Sequence, residues 1–132
     1  MRRTTFITAL IACLALAVAI APAASAKGGG TVRSIALKPS VSFPNASGKA
    51  VYKVNGSERE LEVDVQGIRA LAGKRVNVNA NGHLFATPRV NSLGHFTVTH
   101  STSAGQSVPT IKSGSTVRVR TLGGTLIAGG TF

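Results

Sequence analysis

Short runs in which apolar and polar residues alternate are the feature that most limits what this chain can fold into. Between residues 31 and 132, short runs with apolar side chains at every second position are separated by turn residues such as glycine, asparagine and proline. A half-buried β-strand has this period of two, whereas an amphipathic helix repeats its apolar residues every three to four positions. Only residues 68–72 fit a single helical turn. We therefore predict an all-β fold, a small antiparallel β-sandwich or barrel of about seven strands.

The clearest turn signal is the dipeptide Asn55-Gly56. Asparagine and glycine both tolerate the positive φ angles of a type I′ turn, which joins two strands through a two-residue loop. With this dipeptide as the loop, Lys53 lies opposite Glu58 and Lys49 lies opposite Glu62. The same register places the apolar residues of the hairpin on the other face, namely Ala50, Tyr52, Leu61, Val63 and Val65.

The rest of the chain continues the pattern. Asn81-Gly82 predicts a second hairpin, and Pro88 places its return strand at a sheet edge, because proline cannot donate a ladder hydrogen bond. Residues 101–115 are predicted to form a polar loop whose Val108 and Ile111 enter the core. Further strands are predicted over residues 31–37 and 95–100, and a last hairpin joins residues 116–121 to residues 125–132 through a turn at Gly123-Gly124.

Residues 1–26 have the layout of a secretory signal peptide. Two arginines precede an apolar run over residues 6–21, and Ala24-Ser25-Ala26 offers the small-x-small pattern that signal peptidase cleaves. The apolar run is shorter than the roughly 20 residues of a membrane-spanning helix. We therefore expect cleavage after Ala26, a secreted or extracytoplasmic protein, and no transmembrane segment in the mature chain.

The single cysteine, Cys13, lies inside this apolar run. The residues before it resemble a lipoprotein motif, but the chain stays apolar after it, which disfavours lipidation. Cleavage also removes this cysteine, so the mature protein is expected to have no disulfide and no thiolate metal site. Residues 27–30 are then a flexible glycine-rich leader, and residues 31–132 a single β-domain.

The formal net charge of the chain is +11, from 15 basic and 4 acidic residues, and loss of Arg2 and Arg3 with the signal peptide lowers it by two, to +9. Such a charge attracts polyanions, although it can also serve solubility alone. Few aromatic residues are present to stack on bases or sugars, so we expect no nucleic-acid partner and favour an anionic cell-envelope polymer. The candidate anion-binding residues are Arg75, Arg118 and Arg120.

All four acidic residues occupy alternate positions of one predicted strand, at Glu58, Glu60, Glu62 and Asp64. Such residues share one face, with neighbours about 7 Å apart. A straight row with this spacing is too open to chelate one calcium ion, which needs clustered oxygen ligands. We therefore interpret the acidic strand as a structural, solvated face that pairs with lysines.

The three histidines are His83, His95 and His100. The last two are five residues apart and face opposite sides of one strand, so they cannot share a metal ion there. The sequence contains no Gly-x-Ser-x-Gly nucleophile motif and no phosphate-binding loop. We accordingly expect no catalytic residue, no metal and no cofactor.

Several turn and strand markers carry a resemblance to a known type of domain. They are Gly48-Lys49-Ala50-x-Tyr52, Arg59-Glu60-Leu61-x-Val63-x-Val65, Asn91-Ser92-Leu93-Gly94, Val108-Pro109 and Gly130-Thr131-Phe132. In this order they resemble small exported bacterial β-domains of unknown function and, more distantly, the CHRD type of repeat. The resemblance covers roughly residues 46–132 and implies an antiparallel β-domain without implying any functional residue. The paired-histidine element associated with that repeat is missing.

These observations favour an exported, non-enzymatic structural or binding module that contacts anionic envelope polymers. The alternative is a small hydrolase or metal-dependent enzyme that uses the acidic strand and a histidine, which would have to converge in a pocket. A third hypothesis is an exported inhibitor that presents the loop over residues 101–115. Exposed edge strands could pair between copies, so the oligomeric state is left open.

Overall fold

The computed structural model describes residues 30–132. The signal peptide, its cleavage after Ala26, the exclusion of lipidation at Cys13 and most of the glycine-rich leader concern residues that lie outside this described part. No helix within residues 30–132 is long and apolar enough to cross a membrane.

Eight β-strands form the described part of the chain, and the only helical segments there are two short 3₁₀ turns, at Arg69–Leu71 and Thr102–Ala104. The prediction of an all-β fold is confirmed, and the turn predicted over residues 68–72 coincides with the first 3₁₀ segment. The strands are β1 Thr31–Pro39, β2 Ser47–Asn55, β3 Glu58–Gln66, β4 Val76–Ala80, β5 His83–Ala86, β6 Phe96–Ser101, β7 Thr116–Thr121 and β8 Leu126–Thr131.

The strands form one antiparallel sheet in the order β5-β4-β7-β8-β1-β2-β3-β6. It has two halves, which we call the front sheet (β1-β2-β3-β6) and the back sheet (β5-β4-β7-β8). They are joined where the end of β1 pairs with β8, through Lys38 opposite Gly129 and Pro39 opposite Ala128. The rest of β1 pairs with β2 instead.

The two edge strands of the sheet, β5 and β6, come together on the far side. The ring of Phe85 on β5 lies 4.4 Å from the ring of His100 on β6, measured between centroids. Side-chain contact rather than a backbone ladder therefore brings the two edges of this nearly closed barrel together.

The core lies between the front and back sheets and is built mainly from alternate positions of the strands, with Ile68 and Val90 added from the connecting segments. Val108 and Ile111, which the sequence predicted to enter the core from the loop, are both buried. The fully buried strand residues of large volume are Leu61, Val63, Val65, Val76, Val78, Val117, Val119 and Ile127. Burial of this apolar surface is the main stabilising contribution, because each such side chain contributes about 1.5–3 kcal/mol.

The register predicted for the first hairpin is wrong by two residues. Asn55 lies opposite Glu58, so Gly56 and Ser57 form the loop, and Gly56 alone has a positive φ, of 61°. A glycine with positive φ at the first loop position is typical of a type II′ turn. Lys53 consequently lies opposite Glu60 rather than Glu58. In the same way, Lys49 lies opposite Asp64 rather than Glu62.

Packing explains why the shifted register is preferred. It places Tyr52 opposite Leu61 on the inner face, whereas the predicted register would have placed Tyr52 opposite Arg59. Arg59 lies instead at the end of the ladder, where its Nη1 donates a 2.7 Å hydrogen bond to Thr110 Oγ1. A shift by two leaves every side chain on its original face, so the predicted inner face of this hairpin is correct.

The second hairpin is as predicted. Ala80 lies opposite His83, and the loop residues Asn81 and Gly82 have φ angles of 52° and 78°. Positive φ at both positions is the type I′ arrangement. The return strand β5 lies at the edge of the sheet and ends at Ala86, before Pro88.

Candidate anion-binding surface

The three arginines singled out from the sequence lie on the outer side of the back sheet. On β7, Arg118 and Arg120 alternate with the buried Val117 and Val119. Arg75 directly precedes β4, in which the outward-facing positions alternate with buried valines. The cross-strand partners of Arg118 and Arg120 are Asn79 and Asn77. We call the outer surface formed by Arg75, Asn77, Asn79, Arg118 and Arg120 the basic face.

Two of these arginines are held in place by backbone carbonyl groups. Arg75 Nη1 donates to the carbonyl oxygen of Thr87 over 3.0 Å, and Arg120 Nη1 donates to that of Gly124 over 3.2 Å. A guanidinium group has five N–H donors, so each arginine keeps donors for a ligand. The carbonyl contacts restrict the side chains without neutralising their charge.

A groove of about 610 Å³ borders the basic face where β1 meets β8. Its lining includes the cationic side chains of Lys38 and Arg118, and the backbone of Gly129 lies between them. Apolar side chains, among them Ile35 and Leu126, complete the walls. The groove thus combines two cations with an apolar lining.

The acidic residues lie on the opposite side of the molecule. Glu58, Glu60, Glu62 and Asp64 all lie on β3, on the outer side of the front sheet, where they alternate with buried Leu61, Val63 and Val65. Lys53 Nζ lies 3.6 Å from Glu60 Oε1, with both side chains at least one-third exposed. An exposed pair of this kind contributes about 0.2–1 kcal/mol. The acidic side chains are therefore confined to the front sheet, and the back sheet carries none.

One acidic residue does meet a histidine. His95 Nε2 lies 3.0 Å from Asp64 Oδ2, and Thr97 Oγ1 donates to the same oxygen over 2.7 Å. Burial alone would raise the pKa of the Asp64 carboxyl, but hydrogen bonds from His95 and Thr97 and the charges of His95 and Lys49 hold that pKa below its usual value. Asp64 is thus stabilised as a carboxylate.

This cluster does not have the geometry of a nucleophilic relay. A catalytic histidine uses one ring nitrogen toward the acid and the other toward the nucleophile. Here Nε2 of His95 lies near both Asp64 Oδ2, at 3.0 Å, and Thr97 Oγ1, at 3.3 Å. The Thr97 hydroxyl also donates directly to the carboxylate, so the histidine is not placed between the two groups.

The other two histidines lie at the seam between β5 and β6. His83 and His100 both line a cleft of about 440 Å³, together with Phe85, Gln106 and Pro109. The alternation pattern does not predict that these two histidines share a cleft, because β5 and β6 are the two edge strands and are not hydrogen-bonded neighbours in the sheet. Among residues 30–132 there is no group of three or more histidine, cysteine or acidic side chains that could hold a metal ion.

Comparisons with known proteins identify no family for this chain. The chain matches no family model, no curated protein and no solved structure.

The alternation pattern does not predict that Lys38 belongs to this surface. The pattern of each strand predicts which residues face outward, but it does not predict that β1 and β8 are neighbours. Gly129 lies opposite Arg118 within the hairpin of β7 and β8, whereas Lys38 comes from the other end of the described chain, and only the strand order brings it beside them.

Proposed function

We propose that this protein is an exported, non-enzymatic module that binds anionic polymers of the cell envelope through its basic face. The observation that supports the proposal best is the segregation of charge. All four acidic residues belong to β3 on the front sheet, whereas Arg75, Arg118 and Arg120 share the outer side of the back sheet. Cations that are not interspersed with carboxylates produce a field that attracts a polyanion.

The basic face suits a polymer better than a small ligand. Cross-strand neighbours lie about 5 Å apart and alternate residues of a strand about 7 Å apart, so the arginines offer repeated contacts across an open surface. Asn77 and Asn79 add amide donors and acceptors between them. Binding that depends on several exposed charges is weakened by salt, because counter-ions screen each contact.

Retention on an immobilised anionic polymer during a salt gradient tests the proposal. We expect an Arg118→Ser/Arg120→Ser variant to elute at clearly lower salt than the unmodified protein. The matched control is Lys49→Ser/Lys53→Ser, which removes the same charge from the front sheet. The control should elute close to the unmodified protein, and equal elution of the two double variants would overturn the proposal.

Export is the second part of the proposal, supported by the signal-peptide layout of residues 1–26. Protein recovered from outside the cytoplasm should begin at Lys27 when its N-terminus is sequenced. Recovery from the cytoplasm with the N-terminal segment intact would contradict export.

A second candidate function is a small hydrolase, and the contact between Asp64 and His95 is the observation in its favour. The shared Nε2 contact and the exposure of both side chains, 38% for His95 and 25% for Asp64, make it the weaker candidate. A hydrolytic activity lost in both Asp64→Asn and His95→Gln, with the fold retained, would reverse this order.

A further inference from the structure

Gly129 is the cross-strand partner of two cationic residues at once. It lies opposite Lys38 on β1 and opposite Arg118 on β7. Directly paired residues point to the same face of a sheet, so Lys38, Gly129 and Arg118 form one row across three strands. The middle member has no side chain, and the row therefore has a gap between two cations.

Arg118 leans toward this gap. A Cβ atom placed on Gly129 would lie 3.5 Å from Cγ of Arg118 and 3.3 Å from the carbonyl oxygen of Val117. The aliphatic part of the arginine thus already borders the space that a side chain at position 129 would fill. Neighbouring strands are about 4.8 Å apart, so the backbones of Lys38 and Arg118 are separated by about 10 Å. Both long side chains can reach a group seated above Gly129.

The protein provides no counter-charge at this position. Within residues 30–132, neither Lys38 nor Arg118 forms an ion pair, because all four acidic side chains lie on β3. Two like charges that face one gap repel each other, and an anion between them would relieve that repulsion. The groove at this point holds about 610 Å³, which leaves room for more than the anionic group itself.

We infer that the gap over Gly129 is a subsite for one tetrahedral oxyanion, a phosphate or sulfate ester group, with the adjoining unit of the polymer against Ile35 and Leu126. This inference rests on the proposed function and names the chemical group that the basic face takes. A tetrahedral oxyanion has oxygens directed to both sides of the gap, and arginine binds such groups through paired N–H donors. A carboxylate has only two oxygens, both in one plane, so it offers the two cations fewer acceptors than a tetrahedral group does.

Three variants of the protein separate this subsite from the general charge of the surface. Gly129→Thr fills the gap and changes no charge. Lys38→Gln removes one cation of the row and needs no backbone adjustment. Lys53→Gln removes one cation from the front sheet and is the matched control. Thermal unfolding of each variant checks that the fold is retained, which matters most for Gly129→Thr because of the 3.3 Å approach to Val117.

The measurement is the affinity of each variant for polyphosphate, for dextran sulfate and for polygalacturonate at one salt concentration. We expect Gly129→Thr and Lys38→Gln each to bind polyphosphate and dextran sulfate about fivefold more weakly. This factor corresponds to about 1 kcal/mol, the upper end of the interaction free energies of exposed ion pairs. Lys53→Gln should bind all three polymers like the unmodified protein. Polygalacturonate, whose charges are carboxylates, should bind more weakly and respond little to Gly129→Thr.

The outcomes distinguish the subsite from the proposed function. If Arg118→Ser/Arg120→Ser loses binding while Gly129→Thr and Lys38→Gln bind normally, the basic face is supported and the subsite is overturned. If none of these variants differs from Lys53→Gln, both proposals fail. An equal loss of polygalacturonate binding in Gly129→Thr would overturn the assignment to a tetrahedral oxyanion. If the unmodified protein binds polyphosphate and dextran sulfate with different affinities, the polymer that binds more tightly identifies phosphate or sulfate as the preferred group.

Discussion

The aromatic ring of Phe85 packs against the imidazole of His100 across the seam between the two edge strands of the sheet. The rings are inclined by 47°, with centroids 4.4 Å apart. This contact joins two strands that no backbone ladder connects, so it helps to keep the front and back sheets together on the side opposite the β1–β8 junction.

We predict that Phe85 and His100 are energetically coupled. In a double-mutant cycle with Phe85→Ala and His100→Ala, the coupling free energy should be about 0.5–1.5 kcal/mol, as expected for an aromatic pair. Urea-induced unfolding provides the measurement. Leu122→Ala is the control, because Leu122 is 62% exposed and lies in the turn between β7 and β8, away from the cleft of His100, and it should show no coupling to His100→Ala. Additive effects of Phe85→Ala and His100→Ala would show that the seam contact does not stabilise the barrel.

Asp64 should make stability depend on pH in the acidic range. Its folded-state pKa lies below the ordinary value of 3.8, so folding favours the ionised carboxylate. This contribution is complete above the ordinary pKa and is lost as pH falls through the lower folded-state pKa. Asp64→Asn should therefore reduce stability near neutral pH and flatten its decline on acidification.

Thermal unfolding from pH 6 down to pH 2 would measure this effect. Glu60→Gln removes a carboxylate from the same strand without altering the hydrogen bonds of Asp64, and it should retain the acidic decline. A decline of equal steepness in Asp64→Asn and in the unmodified protein would contradict the role assigned to Asp64.

Gly94 should tolerate substitution less well than Gly82. Both have a positive φ, of 77° and 78°, but a Cβ at position 94 would collide with the backbone of Arg69, whereas a Cβ at position 82 meets no atom within 4 Å. Gly82→Ala should cost about 1–2 kcal/mol, from the left-handed conformation alone. Gly94→Ala should cost clearly more, because the turn before β6 must also move away from the 3₁₀ turn.

The free energy of unfolding of each variant, from urea titration, checks this difference. Since the two glycines share one backbone conformation, the excess cost of Gly94→Ala measures the close approach to Arg69. Equal costs at the two positions would mean that the approach is not tight in solution.

The corrected hairpin register predicts which charges interact. Lys53 should couple with Glu60, its cross-strand partner, by about 0.2–1 kcal/mol at low salt. It should not couple with Glu58, which lies opposite Asn55. Double-mutant cycles with Lys53→Met, Glu60→Gln and Glu58→Gln measure both terms, and the reverse order of coupling would restore the register expected from Asn55-Gly56.

The sequence predicts local structure well here, because each strand carries its own pattern of burial. The inner residues Leu61, Val63 and Val65 and the type I′ turn at Asn81-Gly82 follow directly from alternation and turn chemistry. The identical dipeptide Asn55-Gly56 misleads, because the choice between the two registers depends on whether Tyr52 meets Leu61 or Arg59. Side-chain packing determines the register, and the apolar pattern alone does not distinguish the two registers because both place the same residues on the inner face.

Relationships between distant strands could not be predicted. The contact between Asp64 and His95 requires β6 to lie beside β3, and the row Lys38–Gly129–Arg118 requires β1 to lie beside β8. The alternation of apolar and polar residues predicts which face of the sheet each residue occupies. It does not predict which strands are neighbours. The arginines of the basic face were therefore predictable as outward-facing residues, and Gly129 as the hairpin partner of Arg118, whereas Lys38 was not predictable as part of the same surface.

The separation of charge between the two sheets gives the molecule an electric dipole across the barrel. The front sheet carries four carboxylates together with several cations, among them Lys49, Lys53 and Arg59, whereas the back sheet carries Arg118 and Arg120 and no acidic side chain. Near a negatively charged layer, the field of that layer would exert a torque that turns the back sheet toward it before any contact forms. Molecules that settle in this way would all have one orientation and would expose their acidic side to the surrounding medium.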